Sequence, residues 1–125
     1  MSKPSEPLID GAPVRRFKNP NYKNVGSNLA ELRQKIDLID SQIIELLAQR
    51  ALCVQDATRF KKDAFQVAAP ARQAQVFERV KSQAEAHLEN FPNFPDIVET
   101  TYRTLVAGFI ASEQLLFQKT EIIKK

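Results

Sequence analysis

The sequence predicts an all-α fold of three helices, one long and two shorter, which assemble as a helical homodimer. Apolar residues recur at helical spacings of three and four across residues 29–60. Pro70 and Pro95 each stand where a new helix would begin. No stretch shows the alternation typical of a β-strand, so helices account for the whole folded region.

The first 26 residues are predicted to form a flexible N-terminal arm, and residues 27–125 a single helical domain. The arm holds four of the seven prolines and two of the three glycines and lacks periodicity. It also carries four cations, Arg15, Arg16, Lys18 and Lys23. Two interpretations stay open: a solvated tail, or an arm that packs on a partner subunit or an acidic surface.

The first helix should begin after Asn28, which can cap it, with Glu31 three residues later as in a capping box. No glycine or proline interrupts residues 28–69, and the apolar pattern continues to about Asp63. The helix is therefore expected to exceed 30 residues, or ~50 Å. Two shorter helices cannot cover a rod of that length, so its apolar stripe predicts a second chain as the partner.

Two further helices are expected. Residues 70–89 have Val76, Phe77, Val80, Ala84 and Leu88 on one side. Residues 90–95, NFPNFP, should form a loop. The third helix then starts near Pro95, with Asp96 and Glu99 in its first turn, where negative charge suits the helix dipole.

Composition argues against several classes of protein. A net charge of +3 and an isoelectric point near 9.1 are only mildly basic, and the cations form no continuous stripe, so a nucleic-acid partner is not expected. No run of ~18 apolar residues exists to span a membrane. No apolar leader is visible, and the single cysteine, Cys53, is expected to be buried in a reduced, cytoplasmic protein. No metal and no cofactor is expected.

Polar residues on apolar faces are the candidate functional residues. Arg50 lies beside the apolar stripe, and Lys61 follows eleven residues later, only ~20° from the same face and ~16 Å along an unbroken helix. Arg33 would lie ~25 Å from Arg50, too far for one pocket unless it reaches the pocket of a partner chain. Gln114, Arg72 and Gln73 complete the set.

These side chains offer cations and amides but no acid–base pair or nucleophile, a lining that suits a small polyanion in a dry site. The alternative is that Arg33, Arg50 and Lys61 are surface residues whose stems cover apolar neighbours.

The stretch NLAELRQKIDLIDSQIIELLAQR resembles the opening helix of the all-helical, type II, chorismate mutases. Downstream, RFK, AAPAR and FIASEQ resemble their close relatives, the isochorismate pyruvate-lyases of salicylate biosynthesis. The similarity spans about residues 29–117. It implies an intertwined homodimer with two active sites and an enzyme of aromatic amino-acid biosynthesis in the shikimate pathway.

The resemblance also implies a role for each candidate residue. Arg33 would bind a substrate carboxylate in the partner's site, and Arg50 one in its own site. Lys61 and Gln114 would hydrogen-bond the ether oxygen of the enolpyruvyl group. Arg72 would add a carboxylate contact.

The chain departs from many of these mutases at two positions. Gln73 and Ala69 stand where those mutases carry acids, and the lyases lack the same acids. The chain therefore stands between the two groups. Because Gln73 can still accept a hydrogen bond from a hydroxyl, the expected function is chorismate mutase. Isochorismate pyruvate-lyase and a non-catalytic helical scaffold are the alternatives.

Overall fold

The computed structural model describes residues 4–87 and 91–124, and within them every regular element is helical, which confirms the all-α prediction. The three predicted helices are present as α1 (Leu29–Ala57), α3 (Pro70–Glu85) and α4 (Phe94–Phe117). A short helix that the sequence analysis did not predict, α2 (Ala64–Ala68), lies between the first two. The chain divides into two compact units, Met1–Ala48 and Gln49–Lys125.

The start of α1 follows the predicted capping pattern. Asn28 Oδ1 accepts a hydrogen bond from the Glu31 backbone N–H at 2.9 Å. Glu31 in turn accepts from the Ser27 N–H at 3.1 Å, and this bond is the main cause of the lowered pKa of Glu31. Two orphan backbone donors are thereby satisfied, which fixes where the helix begins.

The predicted end of the first helix near Asp63 is wrong, because α1 ends at Ala57 after 29 residues, or about 44 Å. A 3₁₀ turn, Thr58–Phe60, follows. The Thr58 hydroxyl bonds the Val54 carbonyl four residues back, and the Lys61 N–H bonds the Thr58 carbonyl three residues back. These bonds replace the α-helical pattern, so the helix tightens and stops.

The short helix α2 is capped by Asp63, whose Oδ1 accepts from the Gln66 N–H at 2.9 Å. Gln66 Oε1 accepts from the Lys62 N–H at 2.7 Å, which makes a reciprocal cap. Ala69 then adopts a left-handed conformation, φ 46° and ψ 63°, between α2 and α3. Pro70 begins α3, as predicted.

The predicted end of the second helix at residue 89 is also wrong. Helix α3 ends at Glu85, where Ala86 and His87 donate to the carbonyls of Gln83 and Ala84 in a tightened last turn. Leu88, predicted on its apolar side, lies outside the described residues, as does the beginning of the predicted 90–95 loop.

The core lies between α3 and α4. Val76 and Val80 of α3 pack with Val106 of α4, and the partly buried Phe77, Val98, Tyr102 and Ile110 surround them. Pro95 lies in the first turn of α4 and Asp96 follows it, as the sequence predicted. Lys81 bridges from α3 to Asp96 at 3.5 Å and to Glu99 at 3.2 Å, so ion pairs reinforce the apolar contact.

Helix α1 differs from α3 and α4 in its exposure. No residue of α1, which lies wholly within the described chain, is buried. Ile36, Ile39 and Ile43 are 54%, 52% and 47% exposed. The apolar stripe of this helix is therefore open in a single chain. In the described parts of the chain, no helix is both long and apolar enough to cross a membrane.

The described part of the N-terminal arm contacts the first turns of α1. The Ala30 N–H donates to the Ile9 carbonyl at 3.2 Å, and Lys35 Nζ donates to the Val25 carbonyl. A Cβ on Gly26 would come within 2.8 Å of Leu32, so the small residue permits this close approach. The proposed boundary after residue 26 stays a prediction.

Candidate functional site

A cavity of about 330 Å³ lies in the unit Gln49–Lys125, between α1, α3 and α4. Valines, alanines and Phe109 form much of its wall. Its volume is near the lower end of the range for small-molecule sites, and an apolar wall with a few polar groups is typical of them.

Arg50 is the most informative residue of this cavity. It lies on α1, and its guanidinium stacks over the Phe109 ring at 5.0 Å from the centroid. Its Nη1 atom is buried and has no hydrogen-bond partner among the described residues. An unpartnered buried polar group costs about 1–3 kcal/mol, more when charged, and a hydrogen-bond acceptor in the cavity, such as a carboxylate, would satisfy it.

Lys61 lines the same cavity, although the premise that led to it was wrong. The chain leaves the α-helix at Ala57, and Lys61 has an extended backbone with φ −104° and ψ 138°. The 3₁₀ turn, rather than a continuous helical face, therefore places Lys61 beside the cavity that Arg50 also lines.

Arg72 and Gln73 reach the cavity from the first turn of α3. The Gln73 side-chain amide donates to the Ala68 carbonyl at 2.7 Å. This carbonyl lies at the end of α2, where backbone acceptors lack a partner within the helix. This bond fixes the orientation of the amide, and its carbonyl oxygen can accept a hydrogen bond from a ligand hydroxyl.

Two candidate residues are not among those that line the cavity. Gln114, on α4, donates from Nε2 to the Ala64 carbonyl at 2.9 Å and so holds the start of α2. Arg33 is exposed on α1. The structure thus brings together Arg50, Lys61, Arg72 and Gln73, and it leaves Gln114 and Arg33 outside the lining.

Two functional candidates were missed by sequence reasoning. Arg79 lines the cavity from α3, seven residues after Arg72. Seven residues are about two helical turns, so both side chains lie on the same face, and this spacing is visible in the sequence. Glu113 lines it from α4, is only 5% exposed, and accepts a hydrogen bond from Thr58 at 3.2 Å. Its burial depends on a contact across 55 residues, which no local pattern reveals.

The expectation that Cys53 is buried is wrong, because the residue is exposed and borders the cavity. The apolar stretch around it predicted burial, but α1 is not covered on that side within one chain.

Electrostatically, the cavity favours a small anion. Among the described residues that line it, four are cationic, Arg50, Lys61, Arg72 and Arg79, and one, Glu113, is a carboxylate. Within the described residues, no three His, Cys, Asp or Glu side chains cluster closely enough to hold a metal ion. Cations in a low-dielectric pocket can bind carboxylates and stabilise negative charge that develops on oxygen.

The chorismate mutase type II family matches residues 32–114, more than half of the chain. A relative named "Chorismate mutase" from Methanocaldococcus jannaschii is 32% identical over 60 residues, covering 47% of this chain and 61% of the relative. The matched region thus spans less than two thirds of that curated protein. The match across α1, α3 and most of α4 also includes the cavity residues described above. The chain therefore belongs to the chorismate mutase type II family.

Proposed function

We propose that this protein is a chorismate mutase, which converts chorismate to prephenate without a cofactor. The observation that carries the proposal is the buried, unpartnered Nη1 of Arg50 in a cavity that Lys61 and Arg72 also line. Family membership gives the reaction class, and the cavity supplies the cations that a small dicarboxylate would need.

Substrate binding in this proposal uses the guanidinium groups as carboxylate clamps. Arg50 and Arg72 would each hold a carboxylate, because their planar forks match its geometry. Gln73 would accept a hydrogen bond from the ring hydroxyl through its side-chain oxygen. Together these contacts would fold the enolpyruvyl arm over the ring, which brings the reacting carbons into a near-attack geometry.

Catalysis would then consist of stabilising charge. The pericyclic shift needs no nucleophile or proton transfer, but negative charge grows on the ether oxygen as its C–O bond lengthens. The Lys61 ammonium would meet this charge. Gln114 does not line the cavity and donates one amide hydrogen to Ala64, so its side chain would have to turn toward the bound substrate for the second amide hydrogen to reach the ether oxygen. A ~10⁶-fold acceleration requires about 8 kcal/mol, which a few charge-assisted bonds in a dry site can supply.

The active form in this proposal is an intertwined homodimer in the cytoplasm. Its support is the open stripe of Ile36, Ile39 and Ile43, whose spacings of three and four match a helix-packing seam. A second copy would cover this stripe. Arg33, exposed on the same helix, would then supply a carboxylate contact to the partner's cavity.

Isochorismate pyruvate-lyase is the second candidate, favoured by Gln73 and Ala69. Gln73 presents an amide to the cavity, and the Ala69 position, also in the lining, has no side-chain acceptor. The lyase reaction breaks the same C–O bond with charge building on oxygen, so Lys61 would serve both reactions.

The test is to incubate the pure protein separately with chorismate and with isochorismate and to identify the products. Prephenate supports the mutase, and salicylate plus pyruvate supports the lyase. Lys61→Ala should lower kcat by at least ~100-fold, as expected for loss of one oxyanion donor.

Lys62→Ala is the matched control, since it removes a neighbouring exposed cation that does not line the cavity. It should leave turnover unchanged. Absence of turnover on both substrates would favour the non-catalytic scaffold.

A further inference from the structure

We propose that Glu113 and Thr58 form a positioning pair that holds Lys61 at the cavity, a role that rests on the function proposed above. Neither residue needs to touch substrate. Glu113 is a buried carboxylate for which the proposed reaction has no direct use, and its hydrogen-bond donor is the residue that sets the backbone of Lys61.

The contact joins α4 to the turn that follows α1. Thr58 is 3% exposed, and its hydroxyl lies 3.2 Å from Glu113 Oε2 and 3.1 Å from the Val54 carbonyl. A hydroxyl has one hydrogen, so these two acceptors share a single donor. Glu113 belongs to α4, so its contact with the hydroxyl joins the turn to that helix.

Thr58 also controls the backbone of Lys61 directly. The Lys61 N–H donates to the Thr58 carbonyl at 3.2 Å, which closes the 3₁₀ turn. Thr58 therefore links α4 to Lys61. Its hydroxyl contacts Glu113, and its backbone carbonyl accepts the Lys61 N–H. If the side-chain bond is lost, the turn keeps its local bond but loses its hydrogen bond to α4.

The other end of the segment is held by the next residue of α4. Gln114 Nε2 donates to the Ala64 carbonyl at 2.9 Å, at the first residue of α2. Lys61 thus lies between two residues that are hydrogen-bonded to α4. Glu113 holds Thr58 on one side, and Gln114 holds Ala64 on the other. Such a double attachment limits how far the backbone of Lys61 can move.

The choice of a carboxylate supports a functional explanation. Burying a charged side chain is costly unless it is paired and hydrogen-bonded, and an apolar residue would fill a purely structural position more cheaply. Glu113 faces a cavity lined by Arg50, Lys61, Arg72 and Arg79, whose positive charge offsets its own. Glu113 is therefore surrounded by cations where it accepts the hydrogen bond from Thr58.

The test compares Thr58→Val, which removes the hydroxyl at nearly constant shape, with Thr58→Ser, which retains it. With chorismate as substrate, the valine variant should lose about 10- to 100-fold in kcat, since small misplacements of a catalytic group have effects of that size. Its KM should stay within about threefold, because the arginine clamps are untouched. The serine variant should recover most of kcat.

A second readout does not depend on activity. Amide hydrogen exchange at Lys61 and Lys62 should be faster in Thr58→Val than in wild type, while the α3–α4 core amides stay unchanged. Faster exchange in a protein without turnover would support the positioning pair and overturn the proposed function. Wild-type exchange together with wild-type kcat in Thr58→Val would overturn the positioning pair.

If Thr58→Val does not fold, Glu113→Gln provides the same test. A neutral amide oxygen is a weaker acceptor than a carboxylate, so the bond to Thr58 should be weakened rather than lost. In Glu113→Gln, kcat should therefore fall and amide exchange at Lys61 should rise, each by less than is expected for Thr58→Val. Wild-type values for both would overturn the proposal.

Discussion

Replacing Arg50 with methionine should separate binding from stability. Methionine keeps an unbranched apolar stem but removes the guanidinium, whose Nη1 is buried without a described partner. The free protein therefore loses an unsatisfied group that costs about 1–3 kcal/mol. It also loses stacking on Phe109, worth about 0.5–2 kcal/mol. Together the two effects should change the free energy of unfolding by between about −1 and +2.5 kcal/mol.

Substrate recognition, in contrast, should weaken. A hydrogen bond to a charged group contributes about 1.5–3 kcal/mol, so kcat/KM for chorismate should fall by about 10- to 150-fold. The assays are urea denaturation and steady-state kinetics. The protein concentration is held fixed in the urea titration, because the stability of the proposed dimer would depend on it.

Arg103→Met is the matched control for this prediction. The Arg103 guanidinium also stacks on a phenylalanine, Phe77, at 4.5 Å, but it is paired with Glu99 and does not line the cavity. Its loss should weaken the fold slightly and leave kcat/KM unchanged. The reasoning would be refuted if Arg50→Met lowered the free energy of unfolding by more than ~2 kcal/mol and left kcat/KM at the wild-type value.

Two further predictions concern stability. Ala69→Gly should stabilise the protein by roughly 0.5–1 kcal/mol, because Ala69 has a left-handed backbone that glycine adopts without strain. In the same urea titration, Ala68→Gly, in α2, should destabilise it, and a loss at position 69 would contradict the explanation. Hydrogen bonds from Arg103 and then Lys81 lower the pKa of Glu99, so its stabilising effect is present above the ordinary carboxyl pKa and lost as pH falls through the lowered value. The stability difference between wild type and Glu99→Gln should therefore shrink from pH 6 to about pH 3, whereas a constant difference would show that the ion pairs are not its source.

The starts of α1, α3 and α4 were predictable because each has a local chemical signal. Asn28 caps α1, and prolines begin α3 and lie in the first turn of α4. The ends of α1 and α3 were predicted at the wrong residues. Thr58 looks like an ordinary helical residue until Glu113, 55 positions later, gives its hydroxyl a partner. The cap at Asp63 was readable as Asp followed by Gln66, but the unbroken apolar pattern concealed it.

Part of the candidate site was also predictable from a local signal in the sequence. A cation beside an apolar stripe is visible in sequence, and this identified Arg50 and Lys61. Glu113 was not identified, because its burial and its contact with Thr58 arise only when α4 packs against the turn after α1. Gln114 was identified as a polar residue on an apolar stripe, and only its role at the ether oxygen came from the resemblance. Its bond to Ala64 depends on tertiary contact.

The central claim is that one cation-lined cavity per chain binds and transforms a folded enolpyruvyl dicarboxylate. Calorimetric titration with a bicyclic dicarboxylate that mimics the transition state tests it most directly. We predict one molecule bound per chain, competitive inhibition of chorismate turnover, and binding at least ~100-fold weaker in Lys61→Ala. Equal binding to wild type and Lys61→Ala, or no binding to either, would contradict the claim.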